Sequence, residues 1–148
     1  MNTEGDSATW AVDSSVLVAA LLTWHGHHES ALQRIDNLLA SGQELVLPLH
    51  SLVETYSVLT RLPAPHRLSP LAAVQLLEAQ RTSLRLVGLA SDDGWEFIRG
   101  LARSGIHGGR TYDALIAASA RKGGAGRILT LNSRHFEELD PELEVVFP

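Results

Sequence analysis

Arg110-Thr111-Tyr112-Asp113-Ala114-Leu115-Ile116-Ala117-Ala118-Ser119-Ala120 reads as a helix with unusually small side chains, alanine standing at 114, 117, 118 and 120. Such a helix can lie close against a sheet or a neighbouring helix. Its first turn carries one carboxylate, Asp113. A closely packed helix has little room for an unpaired charge, and burying one is costly unless a partner or a metal ion answers it. What answers Asp113 is the question put to the rest of the chain.

Before that helix, Trp10-Ala11-Val12-Asp13 reads as a short buried strand ending on an acid, with a helix starting at once from Ser14-Ser15. A helical stripe over 29–39 is closed by Ser41-Gly42, and Leu45-Val46-Leu47-Pro48 follows as a second strand. Ser51-Leu52-Val53-Glu54 opens a helix that Pro63 and Pro65 stop, and Ser69-Pro70 opens another with Leu71, Val74 and Leu77 inward. Leu84-Arg85-Leu86-Val87 alternates like a strand. Ser91 caps a helix with Trp95, Ile98, Leu101 and Ala102 on one side and Gly105 as its stop. After the Asp113 helix come a fourth strand, Ile128-Leu129-Thr130-Leu131, the turn Asn132-Ser133-Arg134-His135-Phe136, and a fifth strand over 143–147. His135 reads as a packing residue beside Phe136. Strands alternating with helices over short connections predict an α/β fold of three layers, α/β/α, with a mostly parallel sheet of four to five strands.

The 148 residues suit one domain spanning 1–148. Composition is ordinary for a soluble protein, 45% apolar and 20% charged, and no apolar run is long enough to cross a bilayer. The polar, acidic start has neither the basic nor the apolar region of a signal peptide, and there is no cysteine, so the expected compartment is the cytoplasm, with no membrane partner. Without cysteine, thiolate catalysis and cysteine-ligated zinc are excluded. Glu137, Glu138, Asp140, Glu142 and Glu144 account for the net charge of −5, and the body before them is neutral. The bulk basic field of a nucleic-acid-binding surface is therefore missing. His25, His27 and His28 have no carboxylate or cysteine at ligand spacing and read as an exposed helix–helix turn.

Each notable acid has a capping explanation by itself. Asp13 can be an N-cap, Ser51-x-x-Glu54 has the form of a capping box, and Asp113 suits the positive end of its helix dipole. Taken together they point elsewhere. In a parallel sheet with right-handed crossovers, every helix that follows a strand begins at the carboxyl edge, where open α/β folds bind ligands. Asp13, Glu54 and Asp113 then converge on one rim, joined by Asn132. Two carboxylates about 4 Å apart repel by roughly 4 kcal/mol at an effective dielectric near 20. One must stay protonated, or a cation must sit among them. Oxygen-only ligands suit a hard ion, Mg²⁺ or Mn²⁺, which prefers phosphate oxygens as its remaining ligands and activates water for hydrolysis of a phosphate ester or diester.

Val12-Asp13-Ser14-Ser15-Val16, the run from Glu54 to Pro63, Tyr112-Asp113-Ala114-Leu115-Ile116-Ala117-Ala118-Ser119-Ala120, and the run from Leu129 to Phe136 together resemble PIN-domain ribonucleases, most closely the VapC-type toxins of bacterial type II toxin–antitoxin pairs. The resemblance covers nearly the full length and rests on order and spacing. It implies that Asp13, Glu54 and Asp113 are the metal-binding and catalytic acids of a divalent-metal-dependent endoribonuclease. It also implies a small VapB-like antitoxin as partner, RNA as substrate, and a homodimer. The family's fourth acidic position falls on Asn132, which brings a carbonyl oxygen but no charge, so a second metal is held less tightly. Ser15, Thr130 and Asn132 are expected to support the acids, and Arg110 and Arg134 to contact RNA phosphates. Two other classes place acids at strand ends or keep a PIN-like shape. One is a catalytically weakened module that binds RNA or an antitoxin without efficient cleavage. The other is a receiver-like or haloacid-dehalogenase-like phosphotransfer domain. Against the second, Asp13-Ser14-Ser15 lacks the second Asp of the phosphatase pattern, and the only lysine, Lys122, falls on a helix.

Overall fold

A computed structural model describes residues 8–148. The polar start read above as no signal peptide lies in residues 1–7, outside the described residues. Five strands, β1 (Thr9–Val12), β2 (Glu44–Pro48), β3 (Arg85–Val87), β4 (Arg127–Leu129) and β5 (Glu144–Val146), pair in parallel in the order β3-β2-β1-β4-β5. Between them run α1 (Ser14–Leu21), α2 (His28–Ala40), α3 (Leu49–Arg61), α4 (Pro70–Glu78), a 3-10 turn (Ser91–Asp93), α5 (Gly94–Arg103), α6 (Arg110–Lys122) and α7 (Ser133–Phe136). The chain steps from β1 outward to β3, then returns to the other side of β1. Right-handed crossovers therefore carry α1 to α4 on one face and α5 to α7 on the other. The reversal falls between β1 and β4, the switch point at whose carboxyl end such sheets open a crevice.

The strands are buried on both faces, and alternate residues feed two cores. Trp10, Val12, Leu45, Leu47 and Leu129 pack with Val16, Leu17, Ala31 and Ile35 of α1 and α2. Ala11, Val46, Val87 and Ile128 face Ile116, Ala117 and Ala120 of α6, with Phe136 of α7. Ala11 pairs in register with Val46 and Ile128, so the small residues of α6 meet a shallow row on the sheet. Close packing of this helix is thus realised.

Several helix faces and ends differ from the sequence reading. The third helix starts at Leu49, not Ser51, because Pro48 at its N-cap position already carries the turn. Ser51 is consequently buried inside the helix, its hydroxyl is unpaired among the described residues, and no Ser51–Glu54 capping box forms. Ser69 does cap α4, accepting the Ala72 N–H at 3.2 Å. The buried side of α4 is Ala73, packed near Leu59 and Leu22, which leaves Leu71 and Val74 exposed and only Leu77 partly buried. On α5 only Leu101 is buried; Trp95 is 75% exposed and Ile98 half exposed.

Behind α6, Gly123 lies so near Val87 that a Cβ there would stand 2.7 Å from Val87 Cγ1. Its φ of −75° suits any residue, so Gly123→Ala gains about 0.4–1 kcal/mol from a less flexible unfolded chain. The overpacking costs about 1–3 kcal/mol, and a β-branched valine has little room to yield. Urea unfolding should find Gly123→Ala less stable by roughly 1–2 kcal/mol; equal or greater stability would contradict the close approach of α6 to β3.

Candidate active site

Asp13 ends β1 and is 3% exposed. Its backbone stands at the N-cap position of α1, but its side chain caps nothing; the capping reading fails because two hydroxyls claim the carboxylate. Ser15 and Thr130 each donate to Oδ2 at 2.8 Å. Those hydroxyls in turn accept backbone N–H groups, Leu131 on Ser15 Oγ and Asn132 on Thr130 Oγ1, both at 2.9 Å. The strand-end N–H of Asp13 donates to Leu129 O at 3.0 Å, which locks the ends of β1 and β4 together. Oδ2 is thereby committed to the fold, while Oδ1 has, among the described residues, only the Ser14 hydroxyl, at 3.5 Å.

Glu54 arrives from the second turn of α3 and Asp113 from the first turn of α6. A cleft of about 720 Å³ is lined by all three acids and by His50, Tyr112, Asn132, Arg110, Arg134 and His135. Burial pushes the Glu54 carboxyl above its ordinary pKa; the His50 imidazole pulls it down, the charges of Asp13 and Asp113 push it up again, and Arg61 lowers it. Burial likewise raises Asp113, with His135 opposing, Asp13 reinforcing, and Arg110 and His50 opposing. The acids thus feel one another's charge. They are not drawn in to a point. Glu54 Oε1 lies 3.5 Å from His50 Nε2, and Asp113 Oδ1 lies 3.8 Å from His135 Nδ1. Both separations exceed good hydrogen-bond length, and Glu54 Oε1 is buried without a hydrogen-bond partner among the described residues. Nor, among those residues, do three His, Asp or Glu side chains stand at metal-ligand spacing. The histidines at 25, 27 and 28 form no such group either; His28 bonds Ala19 O at 2.9 Å.

Asn132 takes the N-cap position of α7 and makes no side-chain cap bond, so its amide is exposed at the rim. Arg110 donates to Glu137 O at 3.0 Å, and Arg134 lies exposed beside it in the cleft. His135, read as a packing residue, has a side chain 58% exposed and faces Asp113, because Phe136 beside it turns into the core instead. Two residues escaped the sequence reading. His50, in the unexpected first turn of α3, stacks on Tyr112 with ring centroids 5.2 Å apart and planes 8° from parallel. The only available signal was their position one helical turn before Glu54 and one residue before Asp113. A larger groove, about 960 Å³ between α3, α4 and β3 with Val53, Val74 and Leu86 exposed in it, contains none of the three acids.

A five-stranded parallel sheet carrying acids at its switch point defines the class, and comparison with known proteins agrees. The sequence profile of the PIN domain matches residues 11–141, and the chain belongs to the PIN domain family. Ribonuclease VapC40 of Mycobacterium tuberculosis is 41% identical over 139 residues, 92% of this chain and 98% of that protein. Ribonuclease VapC27 of the same organism is 40% identical over 110 residues, 74% of this chain and 75% of that protein. The fold superposes on the crystal structure of VapBC2 from Rickettsia felis, bound to a DNA fragment from their promoter, with a TM-score of 0.67 at 18% identity, covering 95% of this chain and 98% of that one.

The raised acids have a consequence for stability. The folded chain binds the Glu54 and Asp113 protons more tightly than the unfolded chain does, so stability falls as pH rises from the unfolded carboxyl range through the raised values. In metal-free buffer at pH 7, Glu54→Gln and Asp113→Asn should therefore melt higher than wild type. The gain should fade below about pH 4, where both states are protonated. Melts followed by circular dichroism check this; lower midpoints for both variants at pH 7 would contradict it.

Proposed function

We propose that this chain is a divalent-metal-dependent endoribonuclease acting as the toxin of a toxin–antitoxin pair, with Asp13, Glu54 and Asp113 as its metal-binding and catalytic acids. The observation that carries the reading is that acids from the end of β1, the second turn of α3 and the first turn of α6 line one cleft at the β1/β4 switch point, where the charge of Asp13 disfavours ionisation of both Glu54 and Asp113. Its VapC relatives support RNA as the substrate.

The donors fit a hard cation. They are oxygens, one of them a buried Glu54 Oε1 without a hydrogen-bond partner among the described residues, and the repulsion is what a divalent charge relieves. Mg²⁺ or Mn²⁺ is the proposed ion, and the imidazole contacts of Glu54 and Asp113, at 3.5 and 3.8 Å, are loose enough not to compete strongly with it. Such an ion lowers the pKa of a bound water and neutralises the phosphate for in-line displacement. Asp13 and Asp113 would hold it directly, and Glu54 would hold it or orient the attacking water. Ser15 and Thr130 keep Asp13 Oδ1 turned to the cleft by occupying Oδ2. Asn132 offers an uncharged oxygen at the rim, so one ion is held more firmly than two. Arg110 and Arg134 contact RNA phosphates.

The remaining partners are a small VapB-like antitoxin and a second copy of this chain. No helix among the described residues is long and apolar enough to cross a membrane. The proposed compartment is the cytoplasm, where RNA and antitoxin are made.

Incubating the protein with total RNA should yield fragments in Mg²⁺ or Mn²⁺ and none with a chelator. Asp13→Asn and Asp113→Asn should each slow single-turnover cleavage by about 100-fold or more. Equal metal-dependent rates would overturn the assignment, and RNA binding without cleavage by wild type would favour the non-cutting module.

A further inference from the structure

Tyr112 is 57% exposed although its ring is not free to wander, because the stack on His50 fixes its plane. Among the described residues no other aromatic ring touches it and its hydroxyl finds no hydrogen-bond partner. The side chain therefore contributes little to the core. It is held at the mouth of the cleft, on the residue preceding Asp113, with Arg110 one half-turn behind it. A large apolar face left in water and preset in orientation is what a planar ligand uses at low entropic cost. Proteins that read single-stranded RNA splay bases out of loops and stack them on such rings.

We propose that Tyr112, backed by His50, is the stacking platform for the base of a nucleotide adjoining the phosphate cleaved at the three acids, so that the RNA must present an unpaired base there. The inference rests on the nuclease reading for what lies in the cleft. A phosphate placed at Asp13 and Asp113 sets its own nucleotides against the rim that carries Tyr112, and Arg110 and Arg134 flank the same path with positive charge. The platform discriminates unpaired from paired RNA rather than one base from another, since every base has a stacking face.

The test uses the full chain, Ca²⁺ as the hard cation, and fluorescent hairpin RNAs of two kinds: a pool with a randomised loop, and the same stem with a loop of abasic ribose units. Tyr112→Ala should weaken binding to the randomised pool by about tenfold or more, while Tyr112→Phe and Tyr112→Trp stay within about twofold. The abasic loop should weaken wild type by a similar factor and leave Tyr112→Ala unaffected. A purely structural role, acting through His50 on Glu54, would instead lower the cleavage rate constant in Mg²⁺ without changing binding or its dependence on bases. Wild-type affinity in Tyr112→Ala, equal sensitivity of both proteins to base removal, or no hairpin binding by wild type would overturn the proposal. If Tyr112-dependent and base-dependent binding is found but wild type cuts nothing in Mg²⁺, the nuclease reading falls and the stacking site stands.

Discussion

A nearly buried carboxylate at the junction of the two central strands sets the terms for the rest of the molecule. Asp13 could not occupy that place unanswered, since an isolated charge removed from water costs several kcal/mol. Its answer is built from the fold itself: two hydroxyls donate to one oxygen, and two backbone N–H groups of the β4–α7 connection orient those hydroxyls. Because Ser15 and Thr130 are 115 residues apart, the network also ties the first strand to the fourth. The same bonds that make Asp13 tolerable occupy Oδ2 and leave Oδ1 with only the distant Ser14 hydroxyl among the described residues.

The other acids are delivered by topology. With every strand parallel, α1 and α3 both begin at the carboxyl edge, and α6 is brought to it by the close fit of Ala117 and Ala120 against Ala11, Val46 and Ile128. Among the described residues, Glu54 and Asp113 gain no hydrogen-bonding partner in return for their burial. Each has a histidine at a loose distance, which moderates the charge without neutralising it. The result is a rim whose acids are poorly compensated within the protein, which is what the proposed cation and phosphate would relieve. This is the usual trade of stability for function at a site.

Much of this architecture could be read from the chain. Hydrophobic runs of strand length, the small face of the Asp113 helix, the Ser69-Pro70 cap and the strand-end position of Asp13 all act locally or through the parallel-sheet rule, and all appear in the structure. Orientation was less legible. Periodicity on α4 and α5 marks an apolar stripe but not which side is covered, and small Ala73 and Leu101 won the core over Leu71, Val74, Trp95 and Ile98. At the site, Pro48 moved the start of α3 by two residues, which converted Ser51 from a cap into a buried residue and brought His50 to the rim. The His50–Tyr112 stack joins residues from two helices on opposite faces of the sheet, and no local pattern announces it. His135 was misjudged from its neighbour, whereas successive helical residues point about 100° apart, so a buried Phe136 leaves His135 outside.

Glu54 and Asp113 share one field with Asp13, the field that the proposed divalent ion would relieve. Carboxyl-carbon NMR titration of the full chain, run with and without Mg²⁺, reads that field at each acid. Glu54 and Asp113 should each titrate above its ordinary value in metal-free solution and lose its proton at lower pH when Mg²⁺ is added. Ordinary titration of both groups, unmoved by Mg²⁺, would contradict the account.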